Sequence, residues 1–219
     1  MIGSLGLDRP ENRDVLLEIA SGNGEEAASA LTRFAWHSPK KVRGRAFDAM
    51  KSDNVSLRVS AVRVFRGING TEEINALADL AKDPEDFVKM RALDALGHNE
   101  EPYAKGVLID AFDTGDSATR VASAYHIAQS GHPRSLNLLV EAALSDRKHG
   151  SVFYHAIENL NSPESKQALE RIKKLAPADH RELQEDILHS ALIAEEQESQ
   201  AAFEAPEKQL EGLRADFLY

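Results

Sequence analysis

Cysteine is absent from the 219 residues, which excludes disulfides, iron–sulfur clusters, thiolate zinc sites and a cysteine nucleophile. No apolar run approaches the ~20 residues needed to span a bilayer, so no membrane partner is expected. Residues Met1 to Pro10 lack the charged-then-apolar layout of a secretory signal, and a cytoplasmic location is the expectation. Aromatics are sparse, with eight Phe, four Tyr and one Trp, which leaves the core to Ala, Leu, Val and Ile. No Gly-rich phosphate loop, nucleophile elbow or kinase signature occurs. None of the eight histidines stands in a His-Glu-x-x-His pattern. His149 and His155 are six apart, a poor spacing for two ligands on one helix face, and His98 and His132 fall at expected turns. No metal, no cofactor and no catalytic constellation are therefore expected.

What is present is a chain 42% hydrophobic and 28% charged, the balance of a globular fold. A net charge of −10 argues against a protein that grips nucleic acid over its whole surface. The main signal is an internal repeat. Ala30 with Phe34, Ala61 with Phe65, Ala92 with Leu96, Ala124 with Ala128 and Ala156 with Leu160 recur at steps of 31, 31, 32 and 32 residues. A spacing of four puts each pair on one helical face, where the small residue admits a neighbouring helix and the larger one fills the hollow. Prolines 39, 84, 102, 133, 163 and 177 fall at expected helix starts, as do Asp53, Asp83 and Asp116, whose carboxylates suit capping. Gly67, Gly97 and Gly131 fall where helices should stop.

These signals predict five helix pairs. The first helices run near 24–36, 53–67, 83–97, 116–130 and 147–160, and the second near 39–51, 71–82, 102–114, 133–145 and 163–175. A cap helix over 11–21 precedes them and a longer helix from Pro177 to about Gln200 follows. No segment alternates with period two, so strands are not expected. The segment Asp83-Pro84-Glu85-Asp86-Phe87-Val88-Lys89-Met90-Arg91-Ala92-Leu93-Asp94-Ala95-Leu96-Gly97 resembles the HEAT-like repeat of the phycobilisome-lyase type. Asp53 with Arg58 and Ala61, and Asp116 with Arg120 and Ala124, repeat it more loosely. Arg147-Lys148-His149-Gly150 and Phe153 depart from it. The resemblance, over residues 24–195, implies an all-α fold: a right-handed α-solenoid with an N-terminal cap helix and a C-terminal helical cap. The expected division is a solenoid over 1–195, then an acidic linker and C-terminal amphipathic helix over 196–219. In that tail Leu210, Leu213, Phe217 and Leu218 follow a helical spacing, suited to capping the last repeat or to docking on another chain.

The resemblance further implies that the second helices line a concave surface. Their outward positions form three sets: Lys41, Glu72, Tyr103, Arg134 and Glu164; Gly44, Asn75, Gly106, Asn137 and Gln167; and Asp48, Asp79, Asp110, Glu141 and Arg171. The third would make an acidic stripe, reinforced by Asp113 and Glu73, for a cationic protein partner; the plainer alternative is the charged outer face of any amphipathic helix. Residues 40–66 carry a net +6, and Lys40, Lys41, Arg43 and Arg45 are candidate anion contacts. There the favoured reading is structural, with Arg58 in an Asp–Arg ladder between repeats. Trp36 is expected to close the core, with an exposed partner anchor as the lesser possibility. The functional expectation is a non-catalytic scaffold binding a basic protein partner, with neutralisation of a basic toxin as one specific role within that class. Two alternatives rest on the resemblance: a bilin lyase subunit or tetrapyrrole chaperone, and a nucleic-acid-binding protein of the alkylpurine DNA glycosylase type. Nucleic acid is not the expected partner, since its groove should be positive.

Overall fold

A computed structural model describes residues 10–194 and residue 197 of the chain, and among these every regular element is helical. The helices are α1 (Pro10–Ala20), α2 (Glu25–His37), α3 (Arg43–Ala49), α4 (Val55–Arg66), α5 (Thr71–Leu80), α6 (Asp86–Gly97), α7 (Pro102–Thr114), α8 (Ser117–Gln129), α9 (Ser135–Ser145), α10 (Gly150–Glu158) and α11 (Pro163–Leu175). A short 3-10 turn, Pro39–Val42, leads into α3, and a last helix, α12, covers 181–194. The tail with Leu210, Leu213, Phe217 and Leu218 lies outside the described residues.

Contacts run in two series. In one, α2 packs on α4, α4 on α6, α6 on α8 and α8 on α10; in the other, α5 packs on α7 and α9 on α11. Helices α4, α6, α8 and α10 also pack on the helices before and after them in sequence, and α2 packs on the 3-10 turn that leads into α3. The recurring alanines explain the first series: Ala30, Ala61, Ala92 and Ala124 are all buried, and their small side chains let the backbones approach. Between α2 and α4, Ser60 Oγ lies 2.9 Å from the Ala28 carbonyl oxygen and 3.1 Å from Thr32 Oγ1. Phe34, Phe65 and Leu96 fill the space one turn later and are fully buried. At the ends, α1 packs on α2 and buries Leu16. On α12, Leu183 is buried, and Ser190 donates to Glu158 of α10 at 2.8 Å.

Helix starts follow local hydrogen-bond chemistry, and here some expected boundaries move. Asp116 caps α8 through the Thr119 N–H, 2.7 Å away, and Ser162 caps α11 with a reciprocal bond from Ser165. At α4 the cap is Asn54, accepting from Ser56 N–H at 2.9 Å, rather than Asp53. Asp83 lies ahead of α6, where its carboxylate accepts the Glu85 N–H at 2.9 Å and thereby delays the helix to Asp86. Asp146 does the same before α10, accepting from the Lys148 and His149 N–H groups at 3.1 and 3.0 Å, so that helix begins at Gly150 rather than near 147. Pro102 and Pro163 open their helices, whereas Pro84 and Pro133 sit in the turns before them. Gly131, with φ +66°, takes the left-handed conformation after α8, which glycine tolerates without steric cost.

Candidate functional site

Three groups of charged or polar side chains stand out, and they differ in burial. The first lies in the seam between successive helices. Arg58 on α4 donates from Nε and Nη2 to the two carboxylate oxygens of Asp83, at 2.7 and 3.0 Å, and from Nη1 to the Ser52 carbonyl at 2.9 Å. Only 12% of the Arg58 side chain and 5% of the Asp83 side chain remain exposed. This bidentate pair answers the ladder expected of Arg58, and hydrogen bonding to Asp83 raises the guanidinium pKa further against the opposing effect of burial. One helix on, Lys89 Nζ approaches Asp116 at 3.6 Å, and one helix back Asn54 Nδ2 lies 3.4 Å from the Asn23 carbonyl.

The second group comprises the outward positions of α3, α5, α7, α9 and α11 from which an acidic stripe was expected. Asp48, Glu72, Asn75, Asp79, Tyr103, Asp110, Asp113, Arg134, Asn137 and Glu141 are all exposed. Several are linked across neighbouring helices: Tyr103 donates to Asn75 Oδ1 at 2.6 Å, and Arg171 Nη1 lies 3.4 Å from Asn137 Oδ1. The negative charge is partly compensated. Arg134 pairs with Asp113 and lies 3.8 Å from Asp110, and Arg45 approaches Asp48 at 4.0 Å. Glu73 does not reinforce the stripe: its side chain is buried and tied to Arg43, which also pairs with Glu72. Among the described residues Asp79 and Glu141 have no side-chain partner. Of the four candidate anion contacts, Arg43 is held by these two glutamates. Arg45 is held by the Ala20 carbonyl at 2.8 Å and by the Gly22 carbonyl and Asn23. Lys40 and Lys41 stay exposed.

The third group was missed in part by sequence reasoning and lies on the first series of helices. Trp36 is 79% exposed rather than packed into the core. The buried face of α2 runs through Ala27, Ala30, Leu31 and Phe34, and position 36 sits about 200° around the helix from Phe34. Trp36 borders a cleft of about 460 Å³ lined also by Arg63 and Arg66 of α4 and Arg91 and Asp94 of α6. Arg63 donates to Thr32 Oγ1 at 3.0 Å, Arg66 to Asp94 Oδ2 at 3.1 Å, and the Arg91 guanidinium lies 5.0 Å from the Phe87 ring centre. Of the three guanidinium groups only that of Arg66 is paired with the Asp94 carboxylate. Phe87, Met90 and Tyr125, on α6 and α8, are each about half exposed beside them.

Next to this cleft, which Asp94 also lines, α6 and α8 bring Asp94, His98 and His126 together, with one donor atom of each within 4.8 Å of the others. Two of these three are one helical turn apart, and His126 follows Asp94 by 32 residues, one repeat. Both signals were visible in the sequence but carried weight only together. Burial lowers the His126 pKa below the ordinary histidine value against the pull of Asp94, and His98 adds to the lowering. No protein-family model matches the chain, and no curated protein does.

Proposed function

We propose that the chain is a non-catalytic binding scaffold, an α-solenoid of HEAT-like helix pairs, whose docking face is the Trp36–Arg63–Arg66–Arg91 surface of the first helix series. The observation that carries this reading is the 79% exposure of Trp36 at the rim of a cleft with three arginines. Tryptophan and arginine are the side chains most enriched at binding hot spots, because each offers a large apolar area with a polar handle. The repeat architecture is supported by polar links between residues 28 to 31 positions apart, such as Thr32–Ser60, Arg63–Thr32, Arg66–Asp94 and Asn54–Asn23. The surplus of positive charge in the cleft suits an acidic protein segment with an apolar anchor for Trp36 and Phe87. A cleft this small, on a chain of net charge −10, suits a protein segment better than an extended nucleic-acid backbone.

A second reading, a basic partner on the acidic outer face of α5, α7 and α9, draws support from the unpaired Asp79 and Glu141. Affinity capture with wild type, with Trp36→Ala/Arg63→Glu and with Asp79→Lys/Glu141→Lys separates the two. We expect the first variant to weaken capture of an acidic partner by at least about tenfold, the effect of losing one hot spot, and the second to leave it unchanged. Loss confined to the second variant moves the docking face to the acidic side. A low-salt mobility shift with single-stranded DNA that Arg63→Glu abolishes would replace the protein partner with nucleic acid.

A further inference from the structure

We propose that Asp94, His98 and His126 form a binding site for one divalent transition-metal ion, with zinc the ion that the donors fit best. Asp94 Oδ1 lies 3.3 Å from His126 Nε2 and 3.3 Å from His98 Nδ1. Donors about 2.0–2.1 Å from a tetrahedral zinc stand ~3.3 Å apart, so the Asp94–His126 separation already matches an edge of that tetrahedron, and a turn of the neighbouring His98 ring supplies the third donor. Two imidazoles and one carboxylate are a donor set that zinc accepts, with the fourth position left to water. His98, about half exposed, opens that position to solvent.

Two neighbouring features hold the donors in place. Arg66 Nη1 binds the other carboxylate oxygen, Oδ2, at 3.1 Å, which fixes the rotation of the Asp94 side chain with Oδ1 towards the imidazoles, the kind of outer-sphere contact that orients metal ligands. Gly97 makes room for His126: a Cβ at position 97 would lie 2.1 Å from His126 Cγ and 2.4 Å from its Nδ1. Any side chain there would drive the imidazole away from Asp94. Of the remaining polar contacts, His98 Nδ1 also lies 2.8 Å from the Asp94 carbonyl oxygen. In the ion-free protein that nitrogen donates its proton there, and metal binding requires the half-exposed ring to turn. The His98 and His126 rings meet edge-on with centres 5.0 Å apart.

The test is titration of the metal-free full chain with zinc by calorimetry, and with cobalt by its visible absorption. The wild type should take up one equivalent, and the cobalt form should show the intense bands of a tetrahedral site. Asp94→Asn, which keeps the side-chain shape, and His126→Gln should each weaken binding at least about tenfold, while the exposed His37→Gln should not. Gly97→Ala retains all three donors yet should lose affinity as well, with circular dichroism confirming the fold. Absence of stoichiometric uptake by the wild type, or uptake undiminished in both Asp94→Asn and His126→Gln, overturns the proposal.

Discussion

On the outward side of α7 and α9, Arg134 meets Asp110 and Asp113 at the surface, with every partner at least 41% exposed. In the seam between α4 and α6, Arg58 meets Asp83 with almost none of either side chain left to water. Both are arginine–aspartate contacts joining consecutive repeats. The difference between them is solvent. Exposed charges already interact favourably with water and gain little from each other, whereas a buried carboxylate stripped of its partner has nothing to replace it. On the same first helix series, Arg63, Arg66 and Arg91 stay exposed beside Trp36. One series therefore carries both an arginine largely buried between helices and arginines exposed at the surface.

This contrast breaks most readily at Arg58. Arg58→Ala should lower unfolding free energy by about 3 kcal/mol, because it leaves Asp83 buried and unpaired, while Arg134→Ala should change it by about 0.5 kcal/mol or less. Urea denaturation of the two variants side by side checks this, and equal losses would remove the distinction between seam and surface.

Acidification sharpens the contrast further. His126 has a folded pKa below its ordinary value of 6.5, chiefly through burial. As pH falls from about 7, the unfolded chain takes up this proton before the folded one does, so stability declines until the folded group is protonated as well. The Asp146 carboxyl is held below its ordinary range: burial opposes this, but bonds from the Ser117 hydroxyl and the His149 and Lys148 N–H groups prevail. Asp116 is lowered likewise, through Thr119. Stability contributed by these two carboxylates is full above about pH 4 and is lost as pH falls through their folded values. Denaturation midpoints measured against pH should show both declines, and His126→Gln should abolish the upper one alone.

An effect of intermediate size concerns a helix end. Ser162→Ala removes the reciprocal cap of α11 and should cost about 1 kcal/mol, between the seam and surface values. Thermal denaturation of the variant checks it.

The helix pairs were legible because a buried helical face leaves a periodic mark, and Ala30, Ala61, Ala92 and Ala124 carry it at one-repeat steps. Capping was legible by type but not always by position: Asp53 and Asn54 are both good caps, and the orientation of the chain entering α4 selects the second. Trp36 was misread because tryptophan is so often buried, although its place off the Phe34 face was already written in the spacing. Glu73 was misread as a surface acid, since nothing local reveals that Arg43 reaches across from α3 to cover it.

By itself the sequence determined that the chain is helical, roughly where each helix runs and which small residues let neighbours approach, because all of these depend on side chains within one or two turns. Which charges are shielded, which aromatic faces water and which histidine reaches Asp94 depend on residues about 30 positions apart in the chain. Those were decided only when α4, α6 and α8 packed together, since burial and donor geometry are properties of the packed helices and not of any one of them.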